Sequence, residues 1–180
     1  MTSDMRNGVT AIVVGSLLGL GVGAAGCGGG GPAEVTERLW VTDLPTSPKE
    51  DFSAFLTARS GDDYVGSFYR GSLLRGTHDA FKWQDKGKGR ADIVLLQDEK
   101  KLALTLKPCE AVKPFDHCVV VESARTGATK YYSRKRWVVR RPGKRKDVAS
   151  GLLDATLVEL AEDDEELAAV LDAASAADEE

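Results

Sequence analysis

Short apolar runs separated by polar turns occupy the middle of the chain. They cover residues 65–74, 80–83, 93–97, 102–107, 119–122 and 131–140, with Gly, Asp, Lys or Pro between them. In one run, Leu102, Leu104 and Leu106 alternate with smaller or polar residues, which is the period of a half-buried strand. Successive strands with short links predict an antiparallel β meander, either a curled sheet or a small barrel. A further short strand is predicted at residues 35–41.

Helical spacing precedes this strand region. Ser47-Pro48-Lys49-Glu50 has the form of a capping box, in which a Ser hydroxyl and a Glu side chain satisfy each other's backbone amides. Phe52, Phe55 and Leu56 then fall on one helical face, and Gly61 ends the run. The pattern predicts a short N-terminal amphipathic helix.

Helical spacing returns after Pro142-Gly143. Leu153, Leu157 and Leu160 share one face, and a second apolar set begins at Leu167. The acidic run at residues 159–166 separates the two sets, because like charges repel along a helix and favour a break. Acidic C-terminal helices are therefore predicted, with a frayed end. Together with the N-terminal helix and the meander, they predict an α+β fold.

Charge is distributed unevenly along the 180 residues. The formal net charge is -4, yet residues 147–180 contain 12 acids and no Lys or Arg. The rest of the chain carries 24 basic against 16 acidic residues. The acidic end and the basic remainder are therefore expected to attract each other, through a diffuse contact that salt would screen.

The N-terminus has the layout of a secretion signal. A short polar start with Arg6 precedes residues 9–26, which carry no charge and are rich in Val, Leu, Ala and Gly. The stretch ends in Ala24-Ala25-Gly26-Cys27. These residues resemble the lipobox of bacterial lipoprotein signal peptides, although the family prefers a larger aliphatic residue where this chain has Ala24.

The lipobox resemblance implies cleavage before Cys27 and lipidation of its thiol. Residues 28–31 are all Gly, and such a run would act as a flexible tether between a lipid and a folded domain. In Gram-negative members of the family, Gly after the lipidated cysteine implies the outer membrane, facing the periplasm, rather than the inner membrane. Two alternatives stay open: an uncleaved membrane anchor, which five glycines in residues 9–26 disfavour, and plain secretion without lipid.

The chain contains three cysteines, an odd number for an exported protein. If Cys27 carries lipid, Cys109 and Cys118 remain as one possible pair in an oxidising compartment. A disulfide between them would close the neck of a hairpin. A metal site that recruits His78 and His117 is disfavoured, because no metal-ligand spacing is present and His117 and Cys118 would point to opposite faces of a strand.

The most basic segment is residues 130–146, with nine Lys or Arg among 17 residues and three aromatic residues between them. Such a segment can bind a polyanion. Export removes nucleic acid as a partner, so anionic lipid or polysaccharide is the expected ligand. A solvated strand face is the alternative. The candidate binding residues are Lys130, Arg134, Arg136, Arg140, Arg141 and Lys144.

Catalytic signatures are weak. His78-Asp79 has no accompanying Ser in a GxSxG setting, and Gly66, Gly71 and Gly76 lack the ending of a phosphate loop. No cofactor, metal or catalytic residue is predicted. A small hydrolase remains an alternative, which would need His78, His117 and a carboxylate to converge in one concave site. An anchored protein on the cytosolic side that binds nucleic acid is a third hypothesis.

Three further segments, LWVTDLP, KPC…FDHCVVVE and KYYSRK, resemble small uncharacterised envelope lipoproteins of GC-rich bacteria. That resemblance brings no activity with it. The expected organisation is a signal peptide at 1–26, a lipidated tether at 27–34, a β domain at 35–146 and an acidic helical segment at 147–180. The expected function is non-catalytic binding or scaffolding by a protein that is held to a membrane through its N-terminal lipid.

Overall fold

The computed structural model describes residues 35–139 and 151–178, and they form a closed antiparallel β-barrel followed by two helices. Each strand pairs with the next along the chain, and the last pairs with the first. The strands are β1 Leu39–Val41, β2 Phe52–Ser60, β3 Asp63–Gly71, β4 Gly76–Gly87, β5 Arg90–Leu95, β6 Lys101–Pro108, β7 His117–Ser123 and β8 Gly127–Ser133. The helices are α1 Gly151–Ala161 and α2 Glu165–Asp178.

The barrel closes where β1 meets β8, at the pair Val41 and Tyr132. Beyond β8 the chain leaves the strand and then returns to the start of β1 and the residues just before it. There the Leu39 amide donates to the Trp137 carbonyl at 3.1 Å, and the Val139 amide donates to the Glu37 carbonyl at 2.9 Å. The closure therefore joins the beginning and the end of the barrel sequence.

Alternate residues of all eight strands fill the barrel interior. The Phe81 side chain lies over Gly66, where an added Cβ would come within 2.3 Å of its ring, so the neighbouring strand needs a residue without a side chain at this point. Close packing of this kind is expected of an eight-stranded barrel. The buried interior residues are Val35, Trp40, Phe55, Phe81, Trp83, Ala91, Leu106, Val119 and Tyr131.

A second apolar core lies outside the barrel wall. The outward faces of β1, β2 and β3 carry Leu39, Leu56 and Tyr69, which are buried together with Leu residues of α1 and α2. The two helices thus cover one side of the barrel. Trp137, which follows β8, is fully buried in this outer core.

The prediction of an α+β fold with an N-terminal amphipathic helix is wrong, because the fold is a closed barrel with helices only at its C-terminal end among the described residues. The predicted helix is strand β2. Its residues from Ala54 to Ala58 are all buried, since one face lines the interior and the other lies under the helices. A strand that is buried on both faces loses the alternation of apolar and polar residues.

The predicted capping box forms a turn instead of starting a helix. The Glu50 amide donates to the Ser47 carbonyl at 3.1 Å, and the Glu50 carboxylate accepts hydrogen bonds from the amide and hydroxyl of Thr46. These bonds from Thr46 hold the pKa of Glu50 below its usual value. The polar residues of the predicted capping box do form hydrogen bonds, but these bonds stabilise a loop before β2.

The remaining strand predictions overlap observed strands, although the last predicted run continues to residue 140 and β8 ends at Ser133. Helices α1 and α2 occupy the predicted positions, with a break at residues 162–164. The proposed signal peptide, the tether and Cys27 lie outside the described residues. Within the part of the chain that the structure describes, neither helix has the length and apolar character needed to cross a membrane.

Candidate functional sites

The structure separates the candidate anion-binding residues from one another. Lys130 is exposed on the outward face of β8, whereas Arg134 is 5% exposed. Arg136 is partly exposed and contacts the C-terminal helical region. Arg140, Arg141 and Lys144 lie outside the described residues.

Asp164, the residue before α2, binds the segment that follows β8. Its carboxylate accepts two hydrogen bonds from Arg134 Nη1, at 2.6 and 2.8 Å, and one from Trp137 Nε1 at 2.7 Å. Arg136 Nε donates a further bond at 3.1 Å. The Leu167 amide donates at 3.2 Å, which makes Asp164 the N-cap of α2. We call these residues the Asp164 cluster.

Electrostatics in this cluster favour the charged carboxylate. Burial alone would raise the pKa of Asp164, but the hydrogen bonds from the Leu167 amide, the Trp137 indole and the Arg134 guanidinium outweigh it and lower the pKa. Arg134 also pairs with Glu166, and its guanidinium lies 5.3 Å from the Trp137 ring centroid. The cluster is therefore a structural contact that satisfies the Asp164 carboxylate, while the Nε atom of Arg134 is left without a hydrogen-bond partner.

The prediction that the acidic end contacts the basic segment is confirmed for Arg134 and Arg136. The expectation of a diffuse contact is wrong, because the Asp164 side chain is fully buried. Since Arg134 and Arg136 are already paired with carboxylates of the same molecule, they do not form a free anion-binding surface.

Cys109 and Cys118 form a disulfide, with their Cα atoms 5.0 Å apart. The predicted pairing is thus confirmed. Cys109 follows β6 and Cys118 lies in β7, so the bond closes the connection between these neighbouring strands. The Cys109 amide also donates to the Cys118 carbonyl at 3.3 Å.

The two histidines lie on different strands, His78 on β4 and His117 on β7. His78 pairs in register with Tyr69 on the outer face, while its neighbour Asp79 pairs with Phe68 and points inward. The His78 Nδ1 atom has no hydrogen-bond partner in the structure. Among the residues that the structure describes, no carboxylate therefore orients this nitrogen as a general base. Among the described residues, no group of three or more His, Cys, Asp or Glu is placed to hold a metal ion.

A groove of about 420 Å³ lies between the β3–β4 hairpin and the two helices. Its apolar lining includes Phe52, Tyr69, Leu74 and Leu157. Tyr69 donates a hydrogen bond from its hydroxyl to the Ser72 carbonyl, and its ring lies 4.7 Å from that of His78. Burial raises the pKa of Tyr69, and Asp154 and Asp51 raise it further. This volume falls within the range of small-ligand sites.

Sequence reasoning missed this groove because its walls come from distant segments. The predicted strand at 65–74 ends in Leu73 and Leu74, but these residues and Arg75 form the tip of the β3–β4 hairpin. Polar groups occur around the apolar lining, namely Arg75, His78, Asp154 and Ser175. The local signal in the sequence is a pair of leucines, Leu73 and Leu74, in a short segment between two glycines, and such a pair is too common to indicate a site.

The chain matches no protein-family model, no curated protein and no solved structure.

Proposed function

We propose that this chain is a lipid-anchored protein of the bacterial envelope that acts by binding and performs no chemistry of its own. The single observation that supports the lipid anchor is the pairing of the cysteines. Cys109 and Cys118 are bonded to each other, and Cys27 is the third cysteine of the chain. It stands at the end of an apolar run, after three small residues.

A disulfide supports export because such bonds persist in oxidising compartments and are rare in the bacterial cytosol. The acyl chain on Cys27 would fix the protein to a membrane and leave the barrel in the aqueous space beside it. On this proposal the orientation is towards the periplasm, with the outer membrane favoured over the inner.

The anchor is tested by Cys27→Ala in the full chain, expressed in a Gram-negative host. We expect an uncut precursor without lipid, whereas the native chain should gain the mass of a diacylglyceryl group and lose residues 1–26. Intact mass spectrometry of the membrane fraction measures both changes. Cys109→Ser with Cys118→Ser is the control, because it removes two thiols and should leave lipidation unchanged. A Cys27→Ala protein that matures and fractionates like the native chain would refute the anchor.

The groove supports the binding part of the proposal. Its aliphatic and aromatic walls suit an apolar group, and its few polar side chains would orient that group. A neutral apolar dye, N-phenyl-1-naphthylamine, provides the test. We expect its fluorescence to rise with the native chain and to rise much less with Leu74→Gln, which places an amide in the groove.

Leu96→Gln is the matched control for the dye experiment. Leu96 is 46% exposed, follows β5 and does not line the groove. It should leave dye binding unchanged. Equal losses in both variants, or no dye binding by the native chain, would count against the groove as a binding site.

A further inference from the structure

The outward side chains of β5, β6 and β7, with Lys82 and Lys86 of β4 and Lys130 of β8, form a basic surface on the side of the barrel that the helices leave uncovered. Strand register places them, because Phe81, Trp83 and Tyr131 point inward and their neighbours point outward. Two acids, Asp92 and Glu122, share this surface. Its six cations, which we call the basic wall, are Lys82, Lys86, Arg90, Lys101, Lys107 and Lys130.

The basic wall keeps a net positive charge after its internal pairs are formed. Lys86 lies 3.4 Å from Asp92, and Lys107 lies 2.8 Å from Glu122. The other four cations are exposed, and the described part of the chain places no carboxylate within ion-pair distance of them. Those four are Lys82, Arg90, Lys101 and Lys130.

A repeated arrangement combines these cations with an apolar side chain. Val94 on β5 pairs with Lys82 on one side and Lys101 on the other. Val120 on β7 pairs in the same way with Lys107 and Lys130. Each valine is only partly buried. Because neighbouring strands are about 4.8 Å apart, the two flanking lysines of each valine stand about 10 Å apart.

The opposite side of the molecule has the reverse charge. Helices α1 and α2 with the turn between them contain nine Asp or Glu and no Lys or Arg. Of the eight whose side chains the structure describes, Asp164 is buried and the other seven are exposed. The barrel therefore separates a basic surface from an acidic one, and an anionic plane would attract the first and repel the second.

We propose that the basic wall is the surface on which the anchored barrel lies against anionic phospholipid. This inference rests on the proposed lipid anchor. Residues 27–34 could span at most about 28 Å when extended. Surface charges are screened beyond about 8 to 10 Å, so a barrel on a fully extended tether would not sense the charge of the bilayer. The tether alone therefore does not orient the barrel. The cations of the basic wall orient the barrel when they lie close to an anionic bilayer. Val94 and Val120, each of which stands between two lysines, then contact the membrane interface.

Nucleic acid fits this surface poorly. Proteins that hold single strands stack bases on exposed aromatic side chains. On the outward face of β8 the aromatic residue is Tyr132, and its ring is stacked on Phe115 at 5.2 Å in the outer core. Lysines and valines without an available aromatic partner instead favour the plane of a lipid surface.

The experiment uses the lipidated full chain in vesicles of phosphatidylcholine, with or without phosphatidylglycerol. A water-soluble amine-acetylating reagent labels exposed lysines, and mass spectrometry compares the labelling rate of each residue. We expect Lys82, Lys101 and Lys130 to be protected about fivefold when phosphatidylglycerol is present, since each such cation contributes about 1 kcal/mol near an anionic surface. Added salt should remove the protection, and Lys49 and Lys113 serve as internal references outside the wall.

Charge reversal provides the matched pair of variants. Lys101→Glu with Lys130→Glu should abolish the protection of Lys82, whereas Lys49→Glu with Lys113→Glu makes the same change in net charge and should preserve it. All four positions are exposed, so each variant is expected to fold. Protection of Lys82 that survives the first pair would overturn the inference.

Other outcomes separate this inference from the anchor proposal. If the protein floats with both kinds of vesicle and its lysines react equally, the anchor stands and the basic wall does not dock on lipid. If the protein carries no lipid, the anchor proposal fails. The same labelling, with unanchored protein and added vesicles, then tests independently whether the basic wall binds anionic lipid. Protection by soluble dextran sulfate, without protection by phosphatidylglycerol, would assign the surface to a polysaccharide and overturn the lipid assignment.

Discussion

The buried carboxylate of Asp164 joins the β-barrel to the C-terminal helices. Asp164 lies within an acidic run where its neighbours Asp163 and Glu165 are exposed, yet its own side chain accepts hydrogen bonds from an indole, two guanidinium groups and a helix amide. The carboxylate fixes the start of α2 and attaches the helices to the end of β8. Removing its charge would leave Arg134 buried with only Glu166 as a partner.

Asp164→Asn should therefore destabilise the protein by about 3 kcal/mol at neutral pH, the range for breaking a buried ion pair. Asp163→Asn is the matched control and should change the free energy of unfolding by less than about 0.5 kcal/mol. Urea unfolding followed by tryptophan fluorescence measures both.

The loss of stability caused by Asp164→Asn should depend on pH. The pKa of Asp164 is lowered in the folded protein, so its contribution is complete above the unfolded value of about 4 and is lost as the pH falls through the folded pKa. The difference between the native chain and Asp164→Asn should consequently shrink below about pH 4. A constant difference from neutral to acid pH would show that the charge of Asp164 is not what stabilises the cluster.

Elements with one solvated face were predictable from the sequence, whereas the long strand β2, which is buried on both faces, was not. Alternation of leucines identified β6, and leucines at helical spacing identified α1. Strand β2 is apolar on both faces because it lies between the interior and the helices, and its Phe52, Phe55 and Leu56 imitate helical spacing. The misleading pattern was thus a consequence of tertiary packing, which sequence periodicity alone does not encode.

Sites made by distant segments were equally difficult to foresee. The basic run at residues 130–146 is visible in the sequence because it is continuous, but the structure pairs Arg134 and Arg136 with acids. The basic wall takes its six cations from four strands, β4, β5, β6 and β8, so no local run reveals it. The disulfide was predictable because it joins neighbouring strands across a short loop.

The link between β6 and β7 should depend on that disulfide. The Cys109 to Cys118 bond spans 9 positions, and closing a loop of this size contributes about 2.5 to 3 kcal/mol in the chain-entropy model. Cys109→Ser with Cys118→Ser should lose about that much stability in urea. Dithiothreitol should destabilise the native chain and leave the double variant unchanged. If the reductant affects both proteins equally, the bond does not account for the loss.

At the scale of the whole molecule, the barrel and the helices provide opposite surfaces and a groove between them. The covered side of the barrel shares its apolar core with α1 and α2, and the uncovered side is basic. If the anchored barrel lies on a membrane through that basic side, the helices project away from the lipid. The groove, which those helices line, would then remain open to the aqueous space.

The closure between β1 and β8 determines the order in which the molecule opens. Strand β1 has three residues and meets β8 at one registered pair, whereas β2 and β3 are paired along their full lengths. Local opening starts where few contacts must be lost, so the amide hydrogens of Leu39 and Val139 should exchange with solvent faster than that of Ser67. Hydrogen exchange of the native chain, followed by mass spectrometry, measures this order. Equal exchange rates at Leu39, Val139 and Ser67 would contradict it. A barrel opened at this point exposes two unpaired strand edges, and a second copy of the chain can pair with them, so the closure also limits self-association.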